Sequence, residues 1–238
     1  MLTTVLVVLG LAIGACAFTR AGTDWRSASR EPVGLAPDPA QTEEAVIQVY
    51  AARTVGVRGL FGVHSWVAVK PAQAAAYTVY EVIGWRLRWN DTAVSVRERA
   101  PDARWYGNAP ELLADVRGAA AAALILRIEH AVSSYPYGSE YRAWPGPNSN
   151  TFTAWVTRAV PELATDLPPT AIGKDYLRDR VFARAPSGSG YQMSCAGLFG
   201  VTASTVEGLE LNLLGLTFGV DPWPPAIKLP LAGRIGAR

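Results

Sequence analysis

Cysteine and histidine are both scarce in this 238-residue sequence, which contains two of each. The cysteines, Cys16 and Cys195, form no CxxC pair, and Cys16 lies in an apolar run, so neither a disulfide between them nor a cysteine-rich metal site is predicted. With only His64 and His130 present, a site of several histidines is excluded. We therefore predict no metal and no cofactor, and any histidine chemistry must use one of these two residues.

Runs of basic residues are also absent. The net charge is +2, and the arginines are spread from Arg20 to Arg238, so binding to nucleic acid is not predicted. Half of the residues are hydrophobic and only 18% are charged, which excludes a disordered chain. The length is sufficient for one domain with a full core and an additional anchor.

The N-terminal segment, residues 1–18, is almost wholly apolar and is nearly long enough to span a bilayer as a helix. It predicts a membrane anchor or a signal segment, and thus a membrane-anchored and exported protein. The charges favour the opposite orientation, because Arg20, Arg26 and Arg30 follow the run and no basic residue precedes it. "IGAC", ending at Cys16, resembles a lipobox and predicts a lipoprotein, although an ordinary cysteine in a membrane helix explains it equally well.

Residues 19–40 are small, polar and proline-bearing, which is typical of a linker, and residues 41–238 are predicted to form a single α+β domain. Strands are predicted at 41–53, 62–70 and 74–85; the first also has the features of a helix start, but its β-branched residues favour the strand. The pentapeptide "RLRWN" that follows either extends the third strand or begins another.

Two helices are predicted, at 108–135 with Asn108 as its cap and at 150–160, and both carry an apolar stripe at helical spacing. Segment 166–177 is predicted to be a loop leading to a short helix. Further on, 191–204 and 206–220 are predicted to be two strands, whereas 221–236 contains too many prolines for a central strand. A mixed or antiparallel sheet packed on the two helices is therefore expected.

The stretch "WPGPNSNTF", Trp144 to Phe152, is a rigid turn that leads directly into the second helix. Ser149 at the junction is either a helix cap or a nucleophile, because the N–H groups of a helix start stabilise a developing anion. A nucleophilic serine needs a base within reach, and His64, on a predicted strand, is the candidate. Glu81, on the next predicted strand, is the candidate to orient the imidazole. The candidate binding residues are Asn148, Asn150, Trp66 and Trp144.

"GVHSWVAVK" followed by "PNSNTFTAWV" resembles the circularly permuted papain-like fold of NlpC-type and lecithin retinol acyltransferase-type proteins. In those families the histidine strand comes first, and a nucleophilic cysteine follows at a helix start in the form N-C-x-x-F. The resemblance implies a permuted papain-like sheet with His64 as base and Ser149 as nucleophile. Serine stands where those families have cysteine, so His64 would have to act as a true general base.

A second resemblance extends over roughly residues 24–236. "DWRSASREPVGLAP", "YTVYEVIGW", "WPGPNSNTF", "PELATDLPPTAIGKDYL" and "EGLELNLLGL" are similar to a bacterial family, the domain of unknown function numbered 3750. This resemblance implies no activity. Together with the anchor expected at residues 1–18, a bacterial family implies a membrane-anchored protein of the cell envelope on the periplasmic side. It does imply that serine is the usual residue of the family at position 149.

Three hypotheses follow. The first is a papain-like hydrolase or acyltransferase acting on amide or ester bonds of cell-wall or lipid substrates. The second is a non-catalytic envelope module that keeps the same fold and uses its cleft for binding. The third is a structural, membrane-associated protein without a small ligand. A direct contact between His64 and Ser149 would favour the first.

Overall fold

The computed structural model describes residues 25–237, which form twelve strands, three helices and two short 3₁₀ turns. The predicted membrane segment 1–18 and Cys16 lie outside the described residues. Within the described part, none of the helices has both the length and the apolar character needed to cross a membrane.

The elements are β1 (Val46–Arg53), α1 (Arg58–Phe61), β2 (Val63–Lys70), β3 (Thr78–Val82), a 3₁₀ turn (Gly84–Arg88), β4 (Val94–Glu98), β5 (Glu111–Arg117), α2 (Gly118–Ser133), α3 (Ser149–Ala159), a 3₁₀ turn (Pro161–Leu163), β6 (Phe182–Arg184), β7 (Tyr191–Cys195), β8 (Phe199–Ser204), β9 (Gly208–Leu213), β10 (Leu216–Pro222), β11 (Pro225–Leu229) and β12 (Gly233–Gly236).

The first sheet is antiparallel and has five strands in the order β4-β3-β2-β1-β5. β1 and β2 pair along their whole length, from Val46 opposite Lys70 to Arg53 opposite Val63. One face packs on α2 and α3 and forms the main core. The other face carries Tyr50, Trp66 and Tyr77 and is covered by loop residues. Because both faces are buried, β1 is buried along almost its whole length rather than on alternate residues only.

The strand favoured at 41–53 is confirmed by β1, and β2 and β3 confirm the predictions at 62–70 and 74–85. The pentapeptide "RLRWN" neither extends the third strand nor begins another, since Gly84–Arg88 form a 3₁₀ turn. Segment 166–177 is a loop, but the short helix expected at its end is absent from the described residues.

The helix predicted over 108–135 is partly wrong. Its first part, Glu111–Arg117, is strand β5, which pairs with β1 at the sheet edge, and the helix begins only at Gly118. Gly118 has φ +66°, a conformation that favours glycine, and its N–H donates to Ala45 O at 2.8 Å. Asn108, the predicted cap, lies instead in a bridge with Trp105. The available edge of β1 thus outweighs the helix propensity of this segment.

The helix predicted at 150–160 is confirmed by α3. Phe152, Val156 and Val160 lie on its buried face and belong to the main core together with Ile128 of α2. Trp155 is also anchored to α2, because its indole N–H donates to Ala131 O at 2.8 Å. α3 is therefore fixed against both α2 and the sheet, which places its first turn at the start of β2.

The second sheet is a meander of seven antiparallel strands, β6 to β12, in sequence order. The two strands predicted at 191–204 and 206–220 are in fact four, β7 to β10, because each segment contains a tight turn. The expectation that 221–236 has no central strand is wrong, since β11 pairs with β10 on one side and β12 on the other. Pro225 is the first residue of β11, a position where a proline costs no ladder hydrogen bond.

The inner face of the second sheet is polar. Lys228 has no exposed surface, and its Nζ lies 3.0 Å from Glu210 and 2.7 Å from Asp166. Lys174 approaches the same Glu210 at 2.7 Å from the loop after α3. These ion pairs join the second sheet to the segment that follows α3. The opposite face of the sheet carries apolar side chains and is exposed.

The described chain thus combines two antiparallel sheets with helices, as expected of the α+β class. The permuted papain-like arrangement within that class stays a prediction.

Candidate functional site

A cavity of about 900 Å³ lies at the end of the first sheet where β1 ends and β2 begins. The loop after β1, the first residues of β2, the 3₁₀ turn after β3 and the start of α3 all contribute to its wall. The β9–β10 turn of the second sheet contributes Leu214 and Leu216. Aromatic side chains dominate the lining: Trp25, Phe61, Trp85, Trp89, Trp105, Tyr106, Tyr141 and Trp144. The cavity thus offers a largely apolar environment, which is typical of ligand sites.

His64 and Glu81 meet on the side of the sheet opposite α3. The Nε2 atom of His64 lies 2.8 Å from Glu81 Oε2, and both side chains are almost fully buried. The other carboxylate oxygen accepts hydrogen bonds from Arg97 at 3.0 Å and from Arg99 at 3.4 Å. His64 and Glu81 therefore make the predicted contact with each other. The contact by itself does not establish an activity.

The charges of this pair follow from its surroundings. Burial would raise the pKa of Glu81, but the hydrogen bond with His64 and the neighbouring Arg99 and Arg97 outweigh it and lower the pKa to about 2. Burial lowers the pKa of His64 below 6.5, against the opposing effect of Glu81. At neutral pH the imidazole of His64 is therefore neutral, and its Nε2–H donates to the Glu81 carboxylate. The Nδ1 atom then carries the lone pair, which is the state a general base requires.

Aromatic rings hold the imidazole in place. His64 stacks on Trp105 with 3.6 Å between ring centroids, and Trp105 in turn contacts Trp85 at 6.1 Å. Trp66 is fully buried beneath this stack, where its indole N–H donates to Pro101 O at 2.7 Å. Of the predicted binding residues, Trp66 thus supports the site from below, outside the cavity lining. Trp144 lies at the rim, half exposed, with its indole N–H donating to Leu214 O at 3.0 Å.

The cap of α3 is Asn148. Its side-chain oxygen accepts hydrogen bonds from the N–H groups of Asn150 at 2.9 Å and Thr151 at 3.2 Å, and Thr151 Oγ1 accepts from Asn148 N–H at 3.1 Å. This is a complete capping box. Ser149 is therefore the first residue of the helix and does not cap it.

This arrangement leaves the hydroxyl and the N–H of Ser149 unused as donors, whereas its carbonyl accepts from Ser65 Oγ at 3.5 Å. Neither its hydroxyl nor its N–H makes a hydrogen bond as donor to another residue within 25–237. Ser149 nevertheless lines the cavity, although the residue as a whole is only 4% exposed. The result is a hydroxyl and a first-turn N–H, neither used as a donor, at the positive end of the helix dipole.

Asn150 joins the start of α3 to the start of β2. Its side-chain NH₂ donates to Val63 O at 3.0 Å and to Ile172 O at 2.9 Å, and its side-chain oxygen accepts from Ser65 Oγ at 2.8 Å. Asn148 is held in the same way, by donation to Ile172 O at 2.9 Å and to Ala143 O at 3.1 Å. Both asparagines line the cavity, but their hydrogen-bonding groups serve to position the helix.

Ser65 is the positioning residue that sequence reasoning missed. It is a fully buried hydroxyl on the face of β2 that otherwise carries Val63, Val67 and Val69, and it donates to Asn150 as well as contacting Thr153 Oγ1 at 2.9 Å. A single polar residue on an apolar strand face is a signal that the sequence does contain.

His64 and Ser149 approach the cavity from different sides. Since side chains alternate along β2, Ser65 faces α3 and His64 faces the opposite side of the sheet. Both residues line the cavity at the strand end, yet no hydrogen bond joins them in the described structure. Their catalytic pairing stays a prediction. No cluster of three or more His, Cys, Asp or Glu side chains suited to a metal ion occurs among residues 25–237.

Comparison with known proteins identifies the family of the chain but assigns no activity to it. Neither a curated protein nor a solved structure matches the chain. The matched family range, 44–176, is narrower than the range indicated by the motifs, and it ends before the second sheet begins. It includes all seven candidate residues, from His64 to Asn150. Because this range is more than half of the chain, the chain belongs to the family described as "Protein of unknown function (DUF3750)".

Proposed function

We propose that the protein is a hydrolase or acyltransferase that acts on an ester or amide bond of an acyl-bearing substrate. Ser149 is the nucleophile, His64 the general base and Glu81 the residue that orients the base. One observation carries the proposal: His64, paired with the buried Glu81, and Ser149, whose hydroxyl is not needed for the helix cap, line the same apolar cavity.

The first half of the reaction forms an acyl-enzyme. Ser149 Oγ attacks the substrate carbonyl while its proton passes to Nδ1 of His64, and Glu81 stabilises the imidazolium that results. The Ser149 N–H, at the N-terminus of α3, stabilises the negative charge on the carbonyl oxygen. His64 then returns the proton to the leaving alcohol or amine as the carbonyl–heteroatom bond breaks.

The second half transfers the acyl group from Ser149 to water or to an acceptor alcohol or amine, with His64 again accepting and returning a proton. Because no hydrogen bond joins His64 to Ser149 within the described residues, the two side chains have to approach each other when substrate fills the cavity. Catalytic hydrogen bonds are often loose in unliganded enzymes and tighten in the substrate complex.

The wall of the cavity indicates the substrate class. Its aromatic lining suits an acyl chain or another apolar group, and Arg58 and Arg88 at the same wall suit an anionic substituent. We therefore propose an anionic amphiphile, of the kind found among membrane lipids and acylated cell-wall components, as the substrate.

Labelling with an alkyl fluorophosphonate tests the catalytic role. We expect the wild-type protein to be labelled, and Ser149→Ala and His64→Ala to lose the label, while Ser133→Ala, an exposed serine on α2, keeps it. Circular dichroism establishes that each variant is folded. Unlabelled wild-type protein, or a Ser149→Ala variant that still reacts, would refute the proposal.

A non-catalytic binding module is the second candidate. It is favoured by the alternation of β2, which turns His64 away from α3 and leaves it without a hydrogen bond to Ser149. Titration with a fatty acid, followed by fluorescence of the cavity tryptophans, measures binding. For a binding module, Ser149→Ala should leave the affinity unchanged and an ester ligand should be recovered intact.

We also propose that residues 1–18 attach the protein to the membrane of a bacterial envelope. The support is their apolar sequence, and "IGAC" supports lipidation at Cys16. Fractionation compares the full chain with a chain lacking residues 1–18, which should be released from membranes. Incorporation of labelled fatty acid that is lost in Cys16→Ser would support the lipoprotein, and its absence would exclude lipidation.

A further inference from the structure

The outward face of the second sheet is an unusual protein surface, because it is apolar and exposed. Pairing of the strands places one continuous row of side chains across it: Phe182, Met193, Val201, Leu211 and Phe218. A parallel row continues through Leu209, Val220, Ile227 and Ile235. Each of these nine side chains is at least 39% exposed. Seven strands spaced by about 4.8 Å give a face roughly 29 Å wide. A large, contiguous and exposed apolar patch marks an interaction site on a protein surface.

The polarity of the sheet explains why this face is outside. Many residues on the inner side are polar, with Lys228 and Glu210 in the buried ion pairs and Asn212 donating to Gly197 O at 3.1 Å. A strand whose polar residues face inwards must present its apolar residues outwards. Exposure of the apolar face is thus fixed by a buried charge network and not by a single loop conformation.

We propose that this face docks on the surface of a lipid bilayer. Among the described strand residues that face outwards, Arg184 is the only charged one, and it lies on the edge strand β6 with no acidic neighbour on that face. A protein partner normally forms about one hydrogen bond per 100–200 Å² of interface, and this face offers almost no side chain that forms one. The acyl chains of a bilayer need no hydrogen bonds from the protein. A single cation at the rim suits anionic headgroups.

Aromatic residues at the rim of this face also favour a lipid bilayer as its partner. Trp223, in the β10–β11 turn, is 84% exposed, and Phe182 of the edge strand β6 stacks on Tyr191 with 5.3 Å between ring centroids. Tryptophan and tyrosine are enriched where proteins meet the headgroup region of a bilayer.

The face is also continuous with the cavity. Leu213 of the outward face is followed by Leu214 and Leu216, which line the cavity, and Trp144 at the cavity rim donates to Leu214 O. Trp25, the first described residue, lines the same cavity and is separated from the apolar segment 1–18 only by residues 19–24. A bilayer in contact with the face would therefore lie beside the cavity opening. Docking itself does not depend on the proposed catalysis.

The test measures contact between this face and lipid in the full chain. Cys195 is an exposed, unpaired cysteine on the outward face, and in a Cys16→Ser background it accepts a bimane label. We expect vesicles of phosphatidylcholine and phosphatidylglycerol that carry nitroxide-labelled acyl chains to quench this label. A label at Leu126→Cys, with Cys195→Ser, on the exposed side of α2 should stay unquenched on the same vesicles.

A matched pair of substitutions shows which surface is responsible. Leu211→Glu places a charge at the centre of the face, and we expect the docked population to fall roughly tenfold or more, since burial of a leucine is worth about 1.5–3 kcal/mol. Leu126→Glu makes the same change on α2 and should leave quenching at Cys195 unaltered. Leu211→Thr, which suits a strand, should act in the same direction but less strongly.

Three results would overturn the proposal. One is a Cys195 label that is not quenched although the chain is bound to vesicles. Another is equal quenching at positions 195 and 126, which would mean contact without a preferred face. The third is a stable dimer by sedimentation velocity in which the Cys195 label is shielded from water but not quenched, which would assign the face to a second copy of the chain. Fluorophosphonate labelling does not affect any of these readouts, so docking and catalysis fail separately.

Discussion

Because Asn148 and not Ser149 caps α3, replacing each of these neighbours by alanine should change the free energy of unfolding by very different amounts. Replacing Asn148 by alanine removes the acceptor for two N–H groups of α3 and the donor to Ala143 O and Ile172 O. Loss of an asparagine cap costs about 1 kcal/mol, and each buried hydrogen bond about 1 kcal/mol more. Ile172 O keeps its bond from Asn150, so we expect a total loss of roughly 2–3 kcal/mol in the free energy of unfolding.

Ser149→Ala should behave differently, although the two residues are adjacent. Its hydroxyl donates no hydrogen bond within the described structure, so the free energy of unfolding should change by no more than about 0.5 kcal/mol. For a chain of this length, the corresponding decrease in Tm is roughly 5–10 °C for Asn148→Ala and about 1–2 °C at most for Ser149→Ala.

Urea denaturation followed by tryptophan fluorescence measures both values. Asn148→Ser is the control, because it keeps a capping oxygen and loses only the donor contacts, and should fall between the two. If Ser149→Ala destabilised the protein as much as Asn148→Ala, serine would contribute to the cap and the argument that its hydroxyl is free for chemistry would be refuted.

Three further predictions concern buried polar groups. Glu81→Gln should destabilise the protein at neutral pH; because the folded pKa of Glu81, about 2, lies below its usual 4.5, the difference from wild type should be constant above pH 4.5 and should shrink as the pH falls towards 2. Equilibrium unfolding at several pH values measures it, and a difference independent of pH would contradict the argument. Glu210→Gln leaves the buried Lys228 without one of its two acidic partners and should cost about 3 kcal/mol, measured by urea unfolding; a loss below about 1 kcal/mol would show that the ion pairs are dispensable. Gly173→Ala should destabilise through the cap, since a Cβ there would lie 2.6 Å from Asn148 Nδ2 and the residue has φ +91°; a double-mutant cycle with Asn148→Ala should be less than additive, and full additivity would refute the coupling.

Much of the first sheet was predictable because its signals are local. β1, β2 and β3 are rich in β-branched or alternating residues, and α3 has an apolar stripe at helical spacing. β5 was missed for a non-local reason. Its residues form a good helix start in isolation, and only pairing with the edge of β1 makes Glu111–Arg117 a strand.

The second sheet shows a different limit of sequence reasoning. The alternation of Leu209 and Leu211 with Glu210 and Asn212 is plain in the sequence and predicts a strand correctly. The pattern does not state which set faces inwards. Burial of Glu210 depends on Lys174 and Lys228, which lie 36 and 18 residues away, so the outward exposure of the leucines was not deducible from the strand itself.

Local sequence by itself determined that a helix starts beside Ser149 and that His64 lies on a strand, because turns, alternation and helical spacing are properties of neighbouring residues. Tertiary structure alone decided that Asn148 provides the cap, since that role depends on the carbonyls of Ala143 and Ile172 and on the space at Gly173. It also decided that Glu81 reaches His64 across 17 residues while Ser149 makes no hydrogen bond to it within the described chain, because the side of the sheet on which each side chain lies is set by packing over the whole domain.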